Sequence, residues 1–299
     1  MANTIGYVSA YNNMLDAVYK KGAATAILET NPENIRQSEV NPKTIYIKRF
    51  SADGLGTYSR ASGYVAGDNT VAWDAYVFAM ERGRKYNLDA LDAIEAYTQA
   101  AELMAEIMRV SVIPEIDAYR FSKIYTLCSH DVSADLTYDT AVSAIDTGIK
   151  TLDDAEVPAE SRVMFVSNNM YQLMKQSGEW FNMRVASAPN AVLSRDIQSF
   201  DGMPLIRVPS ARFRTAFTFN DGTTGGQTAG GFASGGTAIN FMIADQRAIT
   251  AALKHVKPKM IAPEMNADAD GWIFAFRLFH DLFIPANKLS GIYLHKATS

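Results

Sequence analysis

The residues whose types could do chemistry are few and scattered. Asp146-Thr-Gly148 matches the tripeptide of aspartic proteases. That chemistry needs two such carboxylates sharing one proton at a strand–turn site. The chain has one copy, inside a helical pattern, and only a homodimer could supply the second; an exposed helical aspartate is the better reading. Asn266, Asp268, Asp270 and Gly271 open like a calcium loop. Arg277 stands where that loop needs a bidentate Glu, and the flanks read as strands, so a β-turn is expected. His130, His255, His280 and His295 fall in no His-x-x-x-His or Gly-x-Ser-x-Gly context. His280 and Asp281 adjoin but have no neighbouring nucleophile. Cys128, the one cysteine, carries no catalytic signature and is expected as a buried thiol. It excludes an internal disulfide and a cysteine zinc site. The glycine-rich stretch 220–237 lacks the Gly-Lys-Ser/Thr of a phosphate-binding loop and no helix follows it. It reads as a flexible surface loop. The cluster Arg82-Gly-Arg-Lys85 could touch nucleic acid or an acidic partner, but a solvated face or an intersubunit ion pair is the commoner fate of such a run. No catalytic, cofactor or metal site is expected.

Composition narrows the classes further. The 299 residues carry 28 basic and 32 acidic side chains, a net charge of −4, and 48% are hydrophobic. A chain this long builds one large or two medium domains with a true core. Its balance excludes wholesale disorder. Weak acidity argues against a chain built mainly to grip nucleic-acid phosphates, which takes a basic stripe. No apolar run approaches the ~18 residues of a membrane span, and no secretory signal is visible. A soluble protein made in a reducing compartment is expected.

The elements that would position any site are mixed. Residues 5–19 place Tyr7, Val8, Tyr11, Met14, Leu15 and Val18 at helical spacing, with Gly22 as a stop. Asn31-Pro32 and Asn41-Pro42 then break helix, so residues 1–43 read as an arm. Thr44 to Phe50 reads as a strand, residues 51–70 as turn-rich, and Val71 to about Tyr86 as a second strand. Together they make a long hairpin over 44–88. Asp89 is a candidate N-cap for a long amphipathic helix bearing Leu91, Ile94, Tyr97, Ala101, Met104 and Met108. Pro114 should kink or end it near Val112, with a second piece over 117–125. A helix over 139–153, a strand over 162–166, a Ser167-capped helix to about 175 and a strand over 203–208 follow. Strands over 239–243, 254–262 and 272–284 complete an α+β pattern without a regular βαβ repeat.

An arm, a long hairpin and a glycine-rich loop cannot all lie on one compact core. A two-stranded hairpin is marginal alone in water, and its edges invite neighbours. The pattern therefore points to an assembly subunit. The candidate intersubunit contacts are Arg49, Tyr58, Arg60, Trp73, Arg82, Arg84 and Lys85.

The runs Glu81 to Asp92, Met108 to Lys123 and Gly202 to Arg212 resemble major capsid proteins of tailed double-stranded DNA bacteriophages. So do Ile239 to Ile243, Lys254-His255, Asp268 to Trp272, His280 to Phe283 and Asn287 to His295. These matches run in order from about 44 to 295. The resemblance implies the Hong Kong 97-like coat fold. The N-terminal arm would be 1–43 and the extended loop 44–88. The peripheral domain with its spine helix would take 89–134 and 251–299, and the axial domain 135–250. It further implies pentamers and hexamers tiling an icosahedral shell around DNA held without sequence specificity. A portal, a separate scaffolding protein and assembly in the host bacterial cytoplasm come with it. Lys48 and Asn287 lie in elements suited to the Lys–Asn crosslink of some members, but no matching Glu aligns, so that chemistry is not carried over. An encapsulin-type compartment is the alternative and a hydrolase the remote one.

Overall fold

The computed structural model describes residues 22–29, 35–37, 41, 43–89, 105–177, 197–267 and 271–298. The expected helix over 5–19 and the N-terminal half of the long helix lie outside the described residues.

The core is a mixed sheet in the order β5-β13-β10-β6-β8-β7, with β9 on β10. These strands are β5 (His130–Ser133), β6 (Arg162–Ser167), β7 (Ser199–Phe200), β8 (Met203–Val208), β9 (Arg214–Phe219), β10 (Phe232–Asp245) and β13 (Ile292–Lys296). β6 is buried at every residue. A continuous apolar run suits a strand covered on both faces. Val163 and Phe165 face one apolar cluster; Met164 and Val166 face the other. The first cluster includes Phe121 and Ile124 of helix α1 (Ile113–Leu127). The second includes Val142, Ile145 and Leu152 of α2 (Ala141–Asp154), and Met170 and Met174 of α3 (Asn168–Gln176). Ser167 caps α3, accepting a hydrogen bond from Met170 N at 3.1 Å.

A second sheet, β11-β12-β4, comprises β11 (Thr250–Ile261), β12 (Gly271–Phe283) and β4 (Met80–Asp89). Phe274, Phe276 and Leu278 of β12 bury against Ile113 and Ile116, so α1 has an apolar neighbour here as well as at the core sheet. The third sheet, β1-β2-β3, contains β1 (Ile35–Gln37), β2 (Thr44–Ala52) and β3 (Asn69–Val77). β2 and β3 pair from Thr44–Val77 to Ala52–Asn69.

Three expectations change. The second hairpin strand does not run from Val71 to Tyr86. β3 ends at Val77, and β4 pairs with β12 from His280–Met80 to Gly271–Asp89. Phe78, buried against Phe283, makes the break. Asp89, the candidate cap, is the last residue of β4, and the helix it is expected to cap begins outside the described residues. Pro114 does not end its helix; the disturbance expected near Val112 is a π-turn over Met108–Val112, after which α1 continues from Ile113. Residues 105–127 are helical throughout, so Pro114 lies inside the run, and its missing N–H leaves a carbonyl of the preceding turn without that donor. The glycine-rich stretch is not all loop. Phe232 to Gly235 pair with Phe219 to Ala216, which leaves 220–231 as the connection.

Candidate assembly interface

Beyond its root, the β2–β3 hairpin has no cover among the described residues. Phe50 is 61% exposed, Tyr64 90% and Trp73 42%; Leu55, Tyr58, Val65, Val71 and Val77 are exposed too. Side chains alternate across a strand, and paired residues share a face. Phe50 pairs with Val71 and Lys48 with Trp73. Phe50, Val71, Trp73 and Val77 therefore form one apolar stripe on a single face.

Local bonds give the ribbon a defined shape. Arg49 Nε donates to Asp74 across the strands at 2.8 Å. Lys48 sits 4.4 Å over the Phe50 ring. At the tip, Asp68 N donates to the Asp53 carboxylate at 2.8 Å and the Tyr58 and Tyr64 rings lie 4.9 Å apart. Arg60 is exposed beside them. Of the seven candidate contacts, Tyr58, Arg60 and Trp73 thus present outward, and Arg49 does so while held by Asp74.

The basic cluster is largely spent inside the chain. Arg82 Nε donates to Glu115 of α1. Arg84 donates through Nη1 to Ala229 O at 2.8 Å and through Nη2 to Thr228 O at 3.1 Å. Lys85 is exposed. The arginines thus fasten the 220–231 connection to the hairpin's base. Gly230 permits this. Its φ is +70°, and a Cβ there would stand 2.7 Å from Arg84 Nη1.

The hairpin's aim is set at Asp281, which the sequence marks only as the neighbour of His280. This carboxylate is fully buried. It accepts from Ala79 N at 2.8 Å, in the break between β3 and β4. It also accepts from Tyr119 OH at 2.9 Å and from Lys123 Nζ, both on α1. Burial and the neighbouring Asp281 charge push the Tyr119 phenol well above its ordinary range. One carboxylate therefore joins β12, α1 and the hairpin root. Ile45, Ile47, Phe78, Phe279 and Phe283 bury around it. Outside this knot, Glu81 of β4 bonds Lys43 at 2.7 Å and Arg277 Nε at 2.8 Å. Arg277, the mismatch in the calcium-loop reading, has this structural task.

A second carboxylate ties down residues 24–29. Asp117 of α1 accepts from Ala24 N, Thr25 N and Thr25 Oγ1 at 3.0, 3.1 and 2.6 Å, and from Arg212 Nη1 at 2.9 Å. Arg120 Nη2 donates to Glu29 at 2.6 Å. Every partner of Asp281 on α1 or at Ala79, and every partner of Asp117, is distant in sequence, so no local motif announces either site.

The other candidates resolve into structure. Asp146 is exposed on α2. The glycine of its tripeptide lets α2 approach the sheet, since a Cβ on Gly148 would lie 2.8 Å from the Tyr293 ring. Asn266 Nδ2 donates to Gly271 O at 2.9 Å across the turn; residues 268–270 are outside the described set. The Cys128 Sγ donates to His130 O and Ile292 O, and burial pushes its thiol up to about 11. His295 is buried beside Asn240 Nδ2 at 3.2 Å. Among the described residues no group of three His, Cys, Asp or Glu could hold a metal, and no helix is long and apolar enough to cross a membrane.

No family model and no curated sequence matches the chain. Solved structures do. The mature capsid of bacteriophage PhiM1 aligns with a TM-score of 0.63 at 12% identity, over 88% of this chain and 84% of that one. The capsid of cyanophage P-SCSP1u gives 0.59 at 12%, over 86% and 84%. A virus-like particle from Pyrococcus furiosus gives 0.50 at 8%, over 97% and 99%. This likeness establishes the fold: α+β, with the Hong Kong 97-like coat architecture.

Proposed function

We propose that this chain is a major capsid protein of a tailed double-stranded DNA bacteriophage. It self-assembles through pentamers and hexamers into an icosahedral shell and becomes part of the virion. The observation that carries the reading is the projecting hairpin with its one-faced apolar stripe, on a chain that has the coat fold. Full burial of a large apolar side chain is worth about 1.5–3 kcal/mol. Phe50, Leu55, Tyr64, Val65, Val71 and Trp73 gain little of it in the lone subunit and can gain it on a neighbour. Head-to-tail contacts of this kind close into rings when the rotation allows. The hairpin serves as the extended loop, 89–134 and 251–299 as the peripheral domain with α1 part of its spine helix, and 135–250, which holds α2, α3 and most core-sheet strands, as the axial domain. A separate scaffolding protein, a portal and DNA held without sequence readout are the partners. The net charge of −4 suits a container that encloses DNA without gripping it.

The second reading is a cargo compartment with the same fold. The likeness to a virus-like particle from Pyrococcus furiosus over nearly both full lengths gives a reason to test for a shell that is not a virion.

The test is electron microscopy of the chain co-expressed with its neighbouring scaffold candidate and fractionated by size. Icosahedral shells support both readings; packaged DNA selects the virion and a protein cargo the compartment. Monomers and small oligomers alone would overturn the assembly role. A companion variant replaces 53–68, everything beyond the Ala52–Asn69 pair, with Asn-Gly, a dipeptide suited to a two-residue hairpin turn. It should fold as a subunit and fail to form shells; normal shells would remove the tip from the interface.

A further inference from the structure

A cleft of about 570 Å³ lies between the β12–β4 face, the π-turn with the start of α1, and the 220–231 connection. Its size falls in the range of small-molecule sites. Along β12 the floor runs from Phe276 through Leu278 to His280, and Arg84 and Arg82 pair with the first two across β4. The floor therefore grades from the Arg84 guanidinium at one end, past Arg82 at its middle, to an imidazole at the other end, about 13 Å from the first at strand rise. Ile116 and Val112 form an apolar wall between.

Two observations point to a ligand. His280 is 1% exposed and lines the cleft, yet neither ring nitrogen has a hydrogen-bond partner. Buried polar atoms in native proteins are nearly always paired. Burial, with Arg120, Arg82 and Lys123 nearby, lowers its pKa to about 3, so the ring is neutral and offers one donor and one acceptor. The charge at the other end is cationic. Arg82, Arg84 and Lys85 line the cleft with two carboxylates, Glu115 and Asp221. Glu115 is taken by Arg82, and Asp221 is turned onto Thr223 N, Thr224 N and Thr224 Oγ1. Arg84 spends its two described bonds on neutral carbonyls, so its charge is not cancelled there.

We infer that this cleft binds an amphipathic organic acid: a carboxylate at Arg84, an apolar body along Leu278 and Val112, and a terminal polar atom against His280. The inference depends on the cleft alone and stands apart from shell formation. The π-turn supports it, because such turns frequently sit at functional sites and this one places Ser111 and Val112 on the cleft.

The probes are ω-hydroxydecanoate, decanoate and decanol, titrated by calorimetry into the purified full chain. The expected result is saturable binding at one site per chain in the order hydroxydecanoate, decanoate, decanol. The hydroxyl should add roughly fivefold, as one net hydrogen bond does, and His280→Phe should erase that increment. Arg84→Gln should weaken both acids at least about tenfold, the weight of a charge-assisted bond. Ser111→Trp, at an exposed position on the cleft mouth, should block all three without burdening the fold, and it decides the matter if the other variants do not fold. No saturable binding, equal affinity for decanol and decanoate, or undiminished binding in Ser111→Trp would each overturn the assignment.

Discussion

Asp281→Ala is the sharpest test of how the hairpin is held. The substitution removes a fully buried carboxylate and takes an acceptor from four donors at once: Ala79 N, Tyr119 OH, Lys123 Nζ and Leu282 N. Breaking a buried charge pair from one side costs about 3–5 kcal/mol. The Lys123 side chain is 24% exposed, so water recovers part of its charge, which places the loss near the lower end, about 3–4 kcal/mol. For a chain of 299 residues that is a melting decrease of about 5–7 °C. Asp281→Asn keeps the volume and one acceptor but loses the charge, and should cost about 2 kcal/mol. Urea unfolding of unassembled subunits gives the stability. Amide exchange gives the location: Ala79 N loses its acceptor directly, whereas Phe78 N, bonded to Lys43 O at 2.9 Å, is deprotected only if the root opens. Shell yield should fall more steeply than stability, since a misdirected hairpin harms every contact it makes. A loss under about 1 kcal/mol in Asp281→Ala, with Phe78 exchange unchanged, would refute the idea that this carboxylate fixes the root.

Other expectations follow from single residues. His280 is held neutral by burial, with Arg120, Arg82 and Lys123 around it. Its folded pKa of about 3 lies below the ordinary 6.5, so the unfolded chain binds the extra proton between those values. Its stabilising contribution is complete above about pH 6.5 and is lost as pH falls toward 3, at up to about 1.4 kcal/mol per unit. His280→Leu should flatten this part of the curve in urea midpoints taken at pH 7 and pH 5; an identical slope would rule the residue out as its source. Gly148→Ala drives a methyl into the Tyr293 ring and should cost about 1–3 kcal/mol despite alanine's better helix propensity, read as a lower melting temperature. A melting temperature that stays or rises would mean α2 can back away from the sheet. Deleting 232–236 removes the pairs from Phe232–Phe219 to Gly235–Ala216 and should cost about 3 kcal/mol or more, whereas deleting 224–227 should cost under about 1 kcal/mol. Equal effects on the melting temperature would show that the β9–β10 ladder contributes little.

What could be read from the chain before its fold was known divides along a physical line. Elements governed by local pattern were legible: the apolar run of β6, the Ser167 cap, the amphipathic α2, the long strands β11 and β12. Junctions governed by distant partners were not. Val71 to Tyr86 is uniformly strand-like, and nothing within it marks Phe78-Ala79 as a break. The break exists because Phe78 packs on Phe283 and Ala79 bonds Asp281. Pro114 signalled a kink or an end near Val112, and the helix widens there into a π-turn and continues. The glycines of 220–237 signalled flexibility, yet Arg84 fastens the connection and β9 pairs with the remainder. The Arg82 cluster was visible, while its partners Glu115, Thr228 and Ala229 could be supplied only by the fold.

These internal fastenings bear on how weak contacts can build a shell. Several modest contacts act together only if their geometry lets all of them engage at once. A hairpin swinging freely about its root would lose that benefit, because its stripe would meet a neighbour in many orientations. Here the root is fixed from two sides. Inside, Asp281 and the Phe78–Phe279–Phe283 cluster bind it to α1 and β12. Outside, Glu81 joins Lys43 before β2 to Arg277 on β12. The continuation of the hairpin, β4, is a full member of the second sheet rather than a linker. In the proposed shell, polar bonds set the direction of the ribbon and its exposed apolar face would supply the attraction. The division is physically apt: buried charge networks are poor sources of net stability but hold a geometry well, while apolar contact is strong and indifferent to direction. Trp73→Ala and Asp281→Asn should therefore fail differently. The first should give correctly folded subunits with weakened association that high protein concentration restores; the second should give subunits that associate without closing into regular shells. Restoration of regular shells from Asp281→Asn by concentration alone would collapse the distinction between aim and attraction.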